Sequence, residues 1–152
     1  MLTIPPLEHL TISAPSTDLE ILMDKFSRGP NKRIDGYELG EDLLLTRDGG
    51  KTNQSKMKDI DWEKMHQEAH KLAIEDANEW GEHGAGRDQL ISLREKVRSR
   101  PSSFLNRDGV WCQEDSMDED MDKSLNLYQA TWEEALKNAQ PDDTITHWHI
   151  SL

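Results

Sequence analysis

Only two of the 152 residues are valine, Val97 and Val110. Strands favour β-branched and aromatic side chains, so a chain whose apolar residues are led by 17 Leu, with 6 Met and 5 Trp, is better supplied for helices than for a large sheet. Leu, Ile, Val and Phe together number 30, just under the level at which a highly charged chain is suspected of disorder, and the Trp and Met residues offset that deficit. The expected fold class is therefore α+β, mostly helical, with four to five helices. A chain of this length supplies one core, so residues 1–152 are expected to form a single domain.

Apolar spacing places the helices. Thr17-Asp18-Leu19-Glu20 has the form of a capping box, and Leu19, Leu22, Met23 and Phe26 recur at helical spacing until Gly29-Pro30. Residues 34–45 satisfy either helix or strand and are read as a short helix, and 47–56, with Asp48-Gly49-Gly50, is read as a loop. The strongest stripe, Trp62, Met65, Ala69, Leu72, Ala73, Ala77 and Trp80, predicts a helix over about 61–80. A further helix is expected over about 88–98, ended by Pro101. Residues 102–109 are read as a connector in which Phe104 anchors a turn, and a last helix spans about 122–139. The tail alternates, with Trp148, Ile150 and Leu152 on one face and His147, His149 and Ser151 on the other, as in a half-buried strand. Its expected partner is the extended, proline-interrupted segment 1–15, so the sheet is a small one pairing the two ends of the chain.

The net charge of −12 is uneven: residues 109–152 hold ten acids against two bases, with Glu114, Asp115, Asp118, Glu119, Asp120 and Asp122 in one short stretch. Such a cluster repels phosphate backbones and anionic lipid, which argues against nucleic acid and membrane, and it attracts basic protein surfaces or cations. Arg94, Lys96, Arg98, Arg100 and Arg107 form the opposing basic segment. It could dock on the acidic stretch within one chain or between two, which leaves a homodimer open. The lone cysteine, Cys112, closes no internal disulfide, and the N-terminal segment lacks the cationic flank of a secretory signal. A soluble, cytoplasmic protein is expected.

Two groups of residues carry the pattern of metal ligands. With Ser27 as loop position one, Asn31 falls at five, Ile34 at eight, Asp35 at nine and Glu38 at twelve, flanked by Phe26 and Leu39; Gly29 and Lys32 stand at positions three and six. On these residues the segment 19–44 resembles a degenerate EF-hand, the calcium-binding helix-loop-helix family. The resemblance implies that alternate loop oxygens, Ser27, Asn31, Asp35 and Glu38 among them, surround Ca²⁺. The stretch 118–129 offers Asp118, Asp120, Asp122 and Asn126 at similar spacing, with Gln129 in place of the terminal Glu. His66 and His70, at i and i+4, place two imidazoles on one helix face, a spacing that suits Zn²⁺ if a third ligand such as His83, His147 or His149 joins them.

No catalytic constellation stands out. Cys112 is followed by acids, which raise a thiol pKa, and the Gly-rich stretch 81–86 follows a helix where a phosphate loop needs a strand. The leading reading is a non-enzymatic, acidic protein-binding module, an adaptor, inhibitor or chaperone-like protein with no cofactor. It engages a basic protein partner through the 111–122 region, with Trp111 as anchor and the six acids around it. The alternatives are a calcium-responsive EF-hand-like protein and, third, a zinc-dependent hydrolase using His66 and His70.

Overall fold

Strand β1 (His9–Ser13) is where the C-terminal alternation finds its partner. It runs antiparallel to β8 (Thr144–Ser151), with His9 opposite Trp148 and Ser13 opposite Thr144, so the expected pairing of the two ends is present. The computed structural model describes residues 7–79, 85–113 and 121–151.

The sheet around this pair corrects the expectation of a small one in a mostly helical chain. Among the described residues, four α-helices stand beside a mixed sheet of six strands and a separate two-stranded one. On the far side of β8 lie β2 (Gly36–Leu39) and β5 (Gln54–Lys56), which pair with successive halves of it. On the far side of β1 lies β6 (Ser103–Leu105), parallel to it, and then β7 (Trp111–Gln113), antiparallel to β6. Strands β3 (Leu44–Leu45) and β4 (Lys51–Thr52) form the small hairpin. The expected short helix over 34–45 is thus two strands: Gly36 and Gly40 are poor helix residues, and β8 offers the edge that Gly36–Leu39 completes. The expected loop at 47–56 is a hairpin turn followed by β4 and β5, and the connector 102–109 is a central strand with its turn.

Both faces of the sheet are covered, and this is why β1 and the middle of β8 are buried throughout. One face carries Leu10, Ile12, Phe104 and Ile145 against Met65 of α2 (Trp62–Glu79) and Tyr128, Trp132 and Ala135 of α4 (Met121–Asn138). Phe104 packs its ring 5.1 Å from Trp132 and 5.7 Å from Tyr128. The other face lies under α1 (Leu19–Ser27), whose Met23 joins Ile34 and Trp148. Asp18 caps α1, its side chain accepting from the Glu20 and Ile21 N–H groups, in place of Thr17. Helix α3 (Ala85–Arg98) packs along α2, fastened by Asp76 of α2, which accepts from Arg98 Nε at 2.8 Å and from Arg94 Nε at 3.1 Å.

Candidate functional site

The β6–β7 hairpin brings Trp111 to the edge of the sheet. Its turn runs from Asn106 to Val110: Asn106 N–H donates to the Val110 carbonyl at 3.1 Å, and Asn106 Oδ1 accepts from Asp108 and Val110 N–H at 3.0 Å. Gly109 adopts φ +82°, the left-handed conformation that this turn needs. The register places Leu105 opposite Trp111 and Ser103 opposite Gln113, so Trp111 lies on the face covered by α1. Its ring stacks on the imidazole of His9, centroids 4.4 Å apart at 16°, and meets Phe26 of α1 at 5.1 Å. The indole N–H donates to Gln113 Oε1 at 3.0 Å. Trp111 remains half-buried, and Val110 beside it is exposed. Among the described residues no strand pairs with β7 on the side away from β6.

Beneath Trp111 lies a buried polar layer. His9 Nδ1 meets Ser103 Oγ at 2.8 Å and its Nε2 meets Thr11 Oγ1 at 3.2 Å. Burial pushes the His9 pKa down to about 3, with His147 adding to the depression, so the ring is neutral. A serine hydrogen-bonded to a histidine has the form of a nucleophile and its base. Here, however, Ser103 and His9 are both buried, and the second ring nitrogen meets a threonine hydroxyl instead of an orienting carboxylate. What this arrangement does is fix a flat, uncharged platform on which the indole of Trp111 rests.

A second imidazole group sits on β8, the neighbour of β1 on the side away from β6. The Glu8 backbone N–H donates to His147 Nε2 at 3.1 Å, so the ring carries its proton on Nδ1 and donates it to the Glu41 carbonyl at 2.9 Å. Gly40 makes room for this ring: a Cβ there would lie 2.6 Å from His147 Nδ1. His149, exposed, pairs with Glu8 at 2.5 Å and lies opposite Glu38 of β2. The hydrogen bond to Glu8 holds the His149 pKa above its ordinary value, and the charges of Glu8, Glu38 and Glu41 act in the same direction.

The remaining expected site residues are dispersed. Ser27 ends α1 and its hydroxyl donates to the Asp24 carbonyl, Asn31 is exposed, Asp35 pairs with Lys32 at 2.9 Å, and Glu38 is a strand residue beside His149. Gly36–Leu39 is a strand where the EF-hand resemblance implies a second helix. His66 and His70 are exposed on α2, and His70 Nδ1 meets Glu95 at 2.9 Å. Among the described residues no three His, Cys, Asp or Glu side chains gather as a metal site. Glu114, Asp115, Asp118, Glu119 and Asp120 lie outside the described residues, and Asp122 falls in the first turn of α4.

The four arginines of the basic segment are engaged inside the chain. Arg94 and Arg98 bind Asp76; Arg100 is buried, donating to Gln129 Oε1 at 2.9 Å with its guanidinium 4.9 Å from the centre of the Tyr128 ring; Arg107 donates to Asp143 at 2.8 Å. Composition had no means of assigning Asp76 and Asp143 these roles. Burial raises the Cys112 pKa, in keeping with an unreactive thiol. No helix among the described residues is long and apolar enough to cross a membrane. The chain matches no protein-family model, no curated protein and no solved structure at a significant level.

Proposed function

We propose that the protein is a non-enzymatic binding module that takes a basic protein partner at the β7 edge and the acidic stretch that follows it. The observation that carries the proposal is the placement of Trp111: on an edge strand, wedged against His9 and Phe26, half-buried, with exposed Val110 beside it. A partner segment added alongside β7 would gain main-chain hydrogen bonds from the edge that no described strand pairs with. The indole, already held in one orientation by its platform, would serve as the anchor at little entropic cost. The chain runs from Gln113 directly into Glu114, Asp115, Asp118, Glu119, Asp120 and Asp122, whose charges would steer a basic surface toward that edge.

The test compares a captured partner on three chains: the parent, Trp111→Ala, and Asp118→Asn/Asp120→Asn/Asp122→Asn. Loss of the anchor should raise the dissociation rate tenfold or more, on the order of a hot-spot truncation. Loss of three acids should lower the association rate and flatten its salt dependence. A partner held by all three chains with the same rates and the same salt dependence would place the binding face elsewhere.

A further inference from the structure

The cleft between α2 and the β3–β4 hairpin is separate from the β7 edge, because that hairpin connects the two strands on the far side of β8. Its volume is about 210 Å³ and its floor is aliphatic, formed by Leu43, Leu45, Met65 and Leu72. Lys51, Lys64 and Glu68 stand at its rim, and Arg98, which also lines it, is held by Asp76. Lys64 is half-buried, and neither it nor Lys51 has an ion-pair partner among the described residues, although Glu68 follows Lys64 by one helical turn. Once Asp76 has neutralised Arg98, two lysines face one glutamate. The rim is therefore net positive in a chain whose total charge is −12.

Two lysines without an ion-pair partner among the described residues, beside an aliphatic floor, put positive charge and apolar surface together in one cleft. An anion with an apolar body complements both. We propose that this cleft binds a small amphipathic carboxylate, its head group between Lys51 and Lys64 and its apolar body on the Leu/Met floor. An apolar cavity of roughly 150 Å³ takes a benzene ring, so this one suits a body of about six to eight carbons. Glu68 at the rim disfavours ligands with a second negative charge near the first.

Octanoate, 1-octanol and octylammonium are titrated below their self-association limits into the intact chain, and NMR follows the methyl groups of Leu43, Leu45, Met65 and Leu72. Octanoate is expected to shift these methyls and to bind at least about tenfold more tightly than octanol. Lys51→Met/Lys64→Met, which keeps the apolar stems, should remove that advantage and leave octanol binding unchanged. Ala69→Leu, which fills the floor, should weaken all three probes. Several results would overturn the proposal: octylammonium binding as tightly as octanoate, or no shift at the four methyls. So would binding only after residues 1–6 are deleted, which assigns the cleft to the chain's own N-terminal segment. The same shifts on concentrating the chain without probe would assign it to a second copy.

Discussion

Acidification provides a direct measure of the platform under Trp111. His9 is fully buried and its pKa is pushed down to about 3, whereas an unfolded histidine titrates near 6.5. The unfolded state therefore takes up a proton below pH 6.5 that the folded state refuses. Stability from neutral His9 is complete above the unfolded value and is lost as pH falls from there toward 3. Each pH unit below 6.5 costs about 1.4 kcal/mol, and allowing for partial titration near 6.5, the change from pH 7 to pH 5 is about 2 kcal/mol. Most carboxylates titrate below this window, which isolates the histidines. For a chain of this size such a loss lowers the urea midpoint by about 1 M and Tm by about 4–8 °C.

His149 works in the opposite sense. Glu8 raises its pKa, so its pairing is stabilising at low pH and is lost as pH rises through the raised value. The measurement is therefore made in a His149→Gln background, with urea midpoints at half-unit steps from pH 7 to pH 5. The midpoint should fall steadily, and adding His9→Gln should flatten that slope even if it lowers stability at every pH. A flat profile in His149→Gln alone, or an NMR titration of the His9 ring with a midpoint above 5, would refute the buried, neutral platform and with it the fixed orientation of Trp111.

Three further substitutions test the packing on which both sites depend. Gly40→Ala drives a methyl into His147 and displaces the ring from the Glu41 carbonyl and the Glu8 N–H; a loss of roughly 2–3 kcal/mol in urea denaturation, with shifted His147 ring resonances, is expected. Asp76→Ala strands Arg98, whose side chain is 9% exposed, and should cost about 3 kcal/mol at pH 7. Hydrogen bonding from Arg98, joined by Arg94, holds the Asp76 pKa low against its burial. Its contribution is thus present above the unfolded carboxylate value and disappears as pH falls through the folded one, so wild type and variant should converge in strong acid. Tyr128→Phe removes the hydroxyl that donates to the buried Pro101 carbonyl at 2.6 Å, and a loss of about 1–2 kcal/mol with unchanged m value is expected by denaturant titration.

The helices among the described residues were legible because their apolar residues recur at helical spacing: Met65, Ala69, Ala73 and Ala77 stand on the expected face of α2, and Tyr128, Trp132 and Ala135 on that of α4. Most of the sheet was not, because alternation reveals a strand only when one of its faces is wet. Here the second face lies under α1 and is lined by His9, Thr11, Ser13, Ser103 and Thr146, buried polar residues that read along the sequence as loop or surface. The scarcity of valine misled for the same reason, since Thr and Ile supply the β-branched positions of β1 and β8: Thr11, Ile12, Thr144, Ile145, Thr146 and Ile150.

One signal for the missed strands was present twice. Leu45-Thr46-Arg47-Asp48-Gly49-Gly50-Lys51 and Leu105-Asn106-Arg107-Asp108-Gly109-Val110-Trp111 form the same turn. In each, the first leucine stands opposite the last residue, the second residue exchanges a backbone hydrogen bond across the turn, and the glycine takes a positive φ. Asp-Gly between short apolar runs is a hairpin signature, and the second copy aims Trp111. The other half of that position was beyond any local pattern. His9 and Trp111 meet because β1 pairs with β6 in parallel, a contact across the whole length of the α1, α2 and α3 segments. A parallel neighbour leaves no turn in the sequence to announce it. The residue that marks the proposed binding edge is therefore visible as an aromatic after a hairpin turn, while the platform that would make it an anchor exists only in the fold.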